Sequence, residues 1–328
     1  MNESTTFLKH PYQWQDSQWQ HLIKMLNQDK LPHALLFEGI EGTGKLGFAR
    51  AFANLLICDS PENGFACGQC KRCLLLIAGS HPDFKMLSPE EKSKIIKVDQ
   101  VRSMVEFVNK KSQFSGFKVI IINPAEAMNI SSSNALLKSL EEPGEKTVFL
   151  LVCHRPSSLM ATIRSRCQKI VFPHPNENLG INWLDEQGVS DSKALLSIAS
   201  GAPLKALSME SSTVLAQRQE MLAALLKLRK HELDPIVVAR QWEKNSSIEC
   251  LQWLISWSLD WVRVKNSQPL KSHDQQAVLV DIAFSLNQSS IFTFWDVLKE
   301  ALQQVQSNSN PNINLMWDDL LIKWVHLD

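Results

Sequence analysis

Residues 39–46, with the sequence GIEGTGKL, match a phosphate-binding loop (P-loop) at every defined position except the last. In the pattern G-x-x-x-x-G-K-[ST], the glycines let backbone N–H groups surround phosphates, and the lysine reaches the β- and γ-phosphates. The final hydroxyl coordinates Mg²⁺, and Leu46 has none. Gly39, Gly42, Gly44 and Lys45 are therefore candidate nucleotide ligands in a loop that lacks one metal ligand.

The sequence on either side of this loop predicts a strand before it and a helix after it. Residues 33–37 (HALLF) form a short apolar run, typical of a buried strand. After Gly44, apolar residues recur at the spacing of a core-facing helix, at Ala49, Phe52, Ala53, Leu56 and Ile57. This order predicts a true P-loop fold, and the alternative is a glycine-rich turn that matches the pattern by accident.

Charge and hydropathy restrict the class of protein. The 328 residues are enough for two or three domains, and 34 Lys and Arg balance 34 Asp and Glu. A protein that binds nucleic acid by itself is usually basic, so we expect any DNA contact to be shared with partners. The N-terminal residues lack the apolar region of a signal peptide, and no run approaches 18 apolar residues. We therefore expect a cytoplasmic protein.

Four cysteines lie within sixteen residues, at Cys58, Cys67, Cys70 and Cys73. The C-x2-C spacings let tight turns aim two sulfurs at one point, and zinc prefers four such thiolates in a tetrahedron. A site closed by four sulfurs would be structural, not catalytic. The sequence therefore predicts a structural Zn²⁺ site, and the alternative is a set of small buried thiols.

Apolar runs that alternate with helical patterns predict a parallel α/β sheet covered on both faces. The predicted strands after the P-loop helix span residues 94–98, 118–122, 147–152 and 169–172. Asp99 is the expected N-cap of the helix that follows the first of these strands.

A change in pattern at Pro173-His174-Pro175 predicts a domain boundary. Three short helices are expected in residues 176–209, and longer amphipathic helices without strands from about residue 210 onward. Seven of the ten tryptophans lie between Trp242 and Trp324. Their helical spacing indicates either the core of a helix bundle or an oligomer interface.

Three further motifs resemble the clamp-loader branch of the AAA+ family: NALLKSLEEP at 134–143, FLL at 149–151 and IRSRC at 163–167. With the four-cysteine insertion, the chain is similar over its whole length to subunits of the bacterial DNA polymerase III clamp loader. The resemblance implies an AAA+ P-loop domain at 1–172 with a zinc-binding insertion at 58–73. It also implies a helical lid at 173–209 and an all-helical collar for oligomerisation at 210–328.

The chain departs from the family's ATPases at four positions. Leu46 replaces the P-loop hydroxyl, and Asn123 and Pro124 stand where an Asp-Glu pair would bind Mg²⁺ and orient water. Leu204 stands where the lid would carry a sensor arginine. Mg²⁺ requires oxygen ligands, so we expect no Mg²⁺ site, no intrinsic ATP hydrolysis, and weak or no ATP binding.

The resemblance implies a non-catalytic stator that helps load the sliding clamp on primed DNA as part of the DNA polymerase III holoenzyme, which is a DNA-directed DNA polymerase. Its expected partners are the motor and delta subunits in a hetero-oligomer, with clamp and DNA reached through the complex, and no membrane. Arg166, in Ser165-Arg166-Cys167, matches the family's arginine finger, which acts in trans on a neighbouring ATPase.

Other readings remain open from the residues alone. The chain could be an active motor ATPase or another P-loop ATPase, which would need a substitute Mg²⁺ ligand near the end of the 118–122 strand. It could also be a zinc-dependent DNA-binding module, although Lys71 and Arg72 are the only basic residues beside the cysteines. Arg166 could be a surface charge or an ion-pair partner, and Arg164 is expected to be a surface charge.

Overall fold

The computed structural model describes residues 9–91, 93–210, 213–272, 274–306 and 311–327. The chain divides into two compact units. The first consists of Met1–Gly180 and Ala202–Lys205, and the second of Ile181–Gly201 and Ala206–Asp328.

The first unit is built on a five-stranded sheet in which every neighbouring pair of strands is parallel, in the order β2-β3-β4-β1-β5. In the central pairings, Leu36 of β1 lies opposite Leu151 of β4, and Ile120 of β3 lies opposite Phe149 of β4. The strands are β1 (Ala34–Glu38), β2 (Phe84–Leu87), β3 (Lys118–Ile122), β4 (Thr147–Cys153) and β5 (Gln168–Val171). The parallel α/β sheet expected for the AAA+ domain is confirmed.

Two apolar clusters cover the two faces of the sheet. Because side chains alternate along a strand, Leu35 and Phe37 enter one cluster, and Leu36 enters the other. Trp19 packs edge-on against Phe48 in the first cluster, with ring centroids 5.4 Å apart. The helices associated with this sheet are α1 (Asp16–Asn27), α2 (Lys45–Ile57), α3 (Lys71–Ile77), α4 (Val98–Asn109), α5 (Ile130–Glu141) and α6 (Ala161–Arg164).

The strand predicted at 94–98 is wrong. Ile96 makes only an isolated bridge with Met128, and α4 already begins at Val98 with Lys97, not Asp99, as its N-cap. The true strand is β2, ten residues earlier, at the edge of the sheet. Only Leu87 of its four residues is buried, because an edge strand has no neighbour on one side.

The second unit is helical, and no strand occurs among its described residues. Its core contains four fully buried tryptophans, Trp257, Trp261, Trp317 and Trp324. The remaining helices of the chain are α7 (Glu177–Glu186), α8 (Ser192–Ile198), α9 (Pro203–Glu210), α10 (Val214–Arg229), α11 (Pro235–Trp242), α12 (Ser247–Lys265), α13 (Gln276–Ser285), α14 (Gln288–Gln306) and α15 (Ile313–Val325). The three short helices expected before residue 210 are α7, α8 and α9.

Within the described residues, no helix by itself combines the length and apolar composition of a membrane span. Helices α13 and α14 reach that length and composition only when taken together, and they are bent by 112° at the break between them.

Candidate functional site

The P-loop connects β1 to α2, as its sequence predicts. Gly42 and Gly44 have φ of 81° and 83°, in the left-handed region that favours glycine, and α2 begins directly after Gly44. Lys45, the first residue of α2, is 2% exposed, and its Nζ donates a hydrogen bond to the carbonyl oxygen of Ile40. The lysine therefore turns back onto its own loop.

Residues from the N-terminal segment cover the loop. A Cβ on Gly44 would lie 2.5 Å from two ring carbons of Tyr12. Trp14 Nε1 and Gln15 Nε2 both donate to the carbonyl oxygen of Thr43, at 3.0 and 2.9 Å. The Thr43 carbonyl and the Cβ side of Gly44 are thus in contact with side chains of the chain's own N-terminal segment.

The other side of the loop is equally close to protein atoms. A Cβ on Gly42 would lie 2.6 Å from Cβ of Lys205, and the Leu204 N–H donates to the Gly42 carbonyl at 3.0 Å. A Cβ on Gly39 would lie 2.4 Å from the carbonyl oxygen of Phe172. Leu204 contributes a backbone hydrogen bond to the loop and no positive charge.

The carboxylate nearest the missing Asp-Glu pair has another role. Glu126 follows Asn123 and Pro124 after β3, and its Oε1 accepts from the backbone N–H groups of His154 and Arg155 at 3.0 and 3.1 Å. These two residues directly follow β4. Glu126 therefore caps the end of β4.

Burial also disfavours charge at the ends of these strands. It lowers the pKa of His154, and the positive charge of Lys45 lowers it further. Burial, reinforced by the carboxylate of Glu126, raises the pKa of the Cys153 thiol to about 12. At neutral pH both groups are neutral, so neither supplies the missing charge of an ATPase site.

The four predicted cysteines converge on one point. Their sulfurs all lie within 4.8 Å of one another, with Cys58 Sγ 3.5 Å from Cys67 Sγ and 4.0 Å from Cys70 Sγ, and Cys67 Sγ 4.0 Å from Cys73 Sγ. Four sulfurs about 2.3 Å from one Zn²⁺ would be about 3.8 Å apart in a tetrahedron. The cluster therefore fits a tetrahedral metal ion, and the reading as scattered buried thiols is disfavoured.

Backbone N–H groups point at three of these sulfurs. Cys67 donates to Cys58 Sγ at 3.3 Å, Cys70 to Cys67 Sγ at 3.3 Å, and Cys73 to Cys70 Sγ at 3.5 Å. Cys70 also serves as the N-cap of α3. Burial raises the pKa of its thiol, but the Cys73 N–H and other hydrogen bonds bring it down to about 7. Such bonds stabilise the thiolate form that a metal requires.

Arg166 lies between α6 and β5, and its side chain is 34% exposed. Its Nε donates to Oε1 of Glu141 at 2.8 Å, and its Nη2 donates to the same oxygen. Its Nη1 donates to the carbonyl oxygen of Thr162 at 3.0 Å. None of these bonds goes to the P-loop, so the structure does not bring the arginine and the loop of this chain together.

Sequence reasoning missed Glu141 and the cover formed by Tyr12, Trp14 and Gln15. Glu141 lies in the LEEP motif, but its contact with Arg166 spans 25 residues of sequence. Arg164, the expected surface charge, is half-buried, with its Nε buried. No spacing rule in the sequence relates Glu141 to Arg166, or the N-terminal aromatic residues to the P-loop.

Two family models together match most of the chain: "DNA polymerase III, delta subunit" over residues 14–176 and its C-terminal model over 212–326. The DNA polymerase III subunit delta' of Pseudomonas aeruginosa is 35% identical over 323 residues, covering 96% of this chain and 98% of that protein. This chain belongs to the delta' family.

The delta' subunit of Escherichia coli K12 is 28% identical over 320 residues, covering 96% of this chain and 95% of that protein. Among solved structures, a DNA polymerase III gamma subunit-related protein from Thermotoga maritima is similar with a TM-score of 0.45 and 18% identity. The match covers 93% of this chain and 99% of the Thermotoga maritima chain. Membership of the delta' family agrees with the clamp-loader resemblance read from the motifs.

Proposed function

We propose that this delta' family member is the non-catalytic stator of a bacterial clamp loader, and that Arg166 is an arginine finger for a neighbouring motor subunit. One observation carries the proposal. The Ser165-Arg166-Cys167 motif is intact, while the P-loop lacks its Mg²⁺-binding hydroxyl at Leu46 and Asn123-Pro124 replace the acidic pair after β3. Such a subunit can supply an arginine finger in trans to a neighbouring ATPase site, but it has no competent ATPase site of its own.

The state of the P-loop supports the absence of intrinsic ATPase activity. Lys45 is buried and bonded to its own loop, and the ring of Tyr12 packs against Gly44. Leu46, Asn123 and Pro124 offer no carboxylate or hydroxyl. Since phosphoryl transfer depends mainly on metal charge and positioned water, we expect weak or no ATP binding and no turnover.

The chemistry of Arg166 suits a finger. Its guanidinium is always charged, and its planar fork can bond two phosphate oxygens at once. At 34% exposure the side chain is reachable from outside. Its ion pair with Glu141 also fits the alternative of a simple structural pair, which the experiment below separates from the finger.

The cysteine cluster would hold Zn²⁺ as four thiolates, in the insertion at 58–73. Its closed sulfur set has no open position for a substrate, so the metal would stabilise the fold there. Arg72 of the same insertion pairs with Asp59 at 2.8 Å and donates to the Phe114 carbonyl at 2.9 Å. These bonds engage a basic side chain that a DNA-binding module would need.

We further propose the division of labour that the resemblance implies: AAA+ domain at 1–172, lid at 173–209 and collar at 210–328. The collar would join the motor and delta subunits in a cytoplasmic hetero-oligomer. The sliding clamp and primed DNA would be reached through that complex.

The decisive experiment reconstitutes the clamp loader with wild-type chain, Arg166→Ala or Arg102→Ala. Arg102 is a matched control because it also pairs with a carboxylate, Asp99, at 3.2 Å, elsewhere on the AAA+ domain. We expect clamp- and DNA-stimulated ATP turnover to fall only with Arg166→Ala. The fall should be up to ~10³-fold at the ATPase site that receives Arg166, and smaller for the whole complex if its other ATPase sites remain active. Unchanged turnover rejects the finger, and turnover by the isolated chain favours the active-ATPase alternative.

A further inference from the structure

We propose that Glu141 is a positioning residue for Arg166: it holds the guanidinium by one edge and leaves N–H groups free for phosphate oxygens. The inference rests on the proposed finger role of Arg166 and adds a second residue to it. It follows from how the five N–H donors of the guanidinium are divided.

Glu141 and Thr162 take three of those donors. The Nε and Nη2 groups, which share one edge of the guanidinium, both donate to Oε1 of Glu141, and Nη1 donates to the Thr162 carbonyl. Nη1 and Nη2 each carry two N–H groups. One N–H therefore remains on each of them, which is the pair of donors needed to bond two phosphate oxygens.

The two partners of Arg166 lie on different elements, which fixes the guanidinium in space. Glu141 is the last residue of α5, and Thr162 lies in the short helix α6. Helices α5 and α6 pack against each other. An arginine without these partners would sample many rotamers, and the freedom would have to be lost at each catalytic cycle.

The exposure of the pair argues for a positioning role over a folding role. The side chains of Arg166 and Glu141 are 34% and 49% exposed. Ion pairs this exposed contribute little to folding stability, because water screens them. The exposed part of the Arg166 guanidinium is open to an anionic group from outside the chain.

The test compares Glu141→Ala, Glu141→Gln, Arg166→Ala and the double variant Glu141→Ala/Arg166→Ala in the reconstituted complex. Glu142→Ala is the matched control, since it removes the same charge one residue away and Arg166 makes no bond to Glu142. The readouts are kcat and KM for ATP, with thermal unfolding and complex assembly measured for every variant.

We define the finger-dependent turnover of a variant as its kcat minus the kcat of Arg166→Ala. Glu141→Ala should reduce the finger-dependent turnover roughly tenfold, because the freed arginine side chain must lose rotamer freedom in the transition state, and KM should be unchanged. Glu141→Gln should retain more of it, because the amide oxygen still accepts a hydrogen bond. Glu142→Ala should match wild type, and the double variant should match Arg166→Ala, because Glu141 acts only through the arginine.

Other outcomes overturn the inference and can be told apart. If Arg166→Ala lowers turnover but Glu141→Ala leaves it unchanged, Glu141 does not position the finger. If Glu141→Ala raises turnover, the carboxylate restrains the arginine instead. Additive losses in the double variant mean that Glu141 acts elsewhere. No loss with Arg166→Ala removes the finger itself, and the inference falls with the proposed function.

Discussion

The ring of Tyr12 lies against Gly44 so closely that two of its carbons would be 2.5 Å from a Cβ at that position. Two features therefore restrict position 44 to glycine: the left-handed φ of 83°, and the ring contact that leaves no room for a side chain. The N-terminal segment thus packs directly against the P-loop.

Gly44→Ala should destabilise the first unit by about 2–4 kcal/mol, from a left-handed φ and from overpacking against the ring. Gly79→Ala is the matched control, because Gly79 has a φ of 67° and no atom within 4 Å of its Cβ position. It should cost only about 1 kcal/mol, since it adds backbone strain alone. Urea unfolding of both variants measures the difference, and equal losses would mean that Tyr12 does not constrain the loop.

The zinc prediction is that the wild-type chain carries one Zn²⁺ and that Cys70→Ser lowers the metal content well below one per chain. Losing a closed thiolate site should lower the free energy of unfolding by a few kcal/mol. Cys250→Ser is the control, because Cys250 is a buried thiol of α12 outside the cluster. Elemental analysis and thermal unfolding provide the readouts, and a Cys70→Ser protein with full zinc content contradicts the site.

The sequence predicted the P-loop and the cysteine site because both depend on local spacing. A glycine loop needs its glycines at fixed positions, and the C-x2-C turns bring the sulfurs of Cys67, Cys70 and Cys73 together, while Cys58 joins them from the end of α2. The apolar run at 94–98 misled because Ile96 is buried, yet it enters the core just before a helix. The mixed residues of β2 gave little signal because an edge strand is only half covered.

Contacts between distant residues could not be predicted in this way. Glu141 meets Arg166 because α5 packs on α6, and Tyr12 meets Gly44 because the N-terminal segment crosses the loop. Both depend on the completed fold. The motifs identified the candidate residues, and only tertiary packing identified what holds them.

The second unit contains a buried ion pair that should matter for stability. Arg218 and Asp274 lie 2.8 Å apart with side chains 1% and 9% exposed, and the guanidinium stacks over Trp257 at 4.7 Å. Asp274→Ala leaves a buried charge without its partner, which costs about 3–5 kcal/mol. Asp99→Ala, which breaks an exposed pair, should cost at most about 1 kcal/mol.

Tryptophan fluorescence during urea unfolding is a suitable probe of this change, because Trp253 and Trp257 lie beside Arg218. A shift of the unfolding midpoint for Asp274→Ala no larger than that for Asp99→Ala would show that Arg218 finds another partner or water. The comparison also tests whether the helical unit, which contains the proposed collar, depends on polar contacts as well as on its tryptophan core.

Leu46→Ser restores the hydroxyl of the P-loop pattern, and we still expect no ATP hydrolysis by the isolated chain. Asn123 and Pro124 continue to offer no acid, Glu126 remains bonded to the backbone after β4, and Tyr12 still covers Gly44. Leu46 also packs against the core, so its loss should lower the free energy of unfolding by about 1–3 kcal/mol.

Leu46→Ala is the matched control, since it loses the same packing without gaining a hydroxyl. Phosphate release with Mg²⁺-ATP should be at background for both variants. Turnover by Leu46→Ser above Leu46→Ala would mean that a single missing ligand had silenced an otherwise competent ATPase site, and the stator role would then lose its main support.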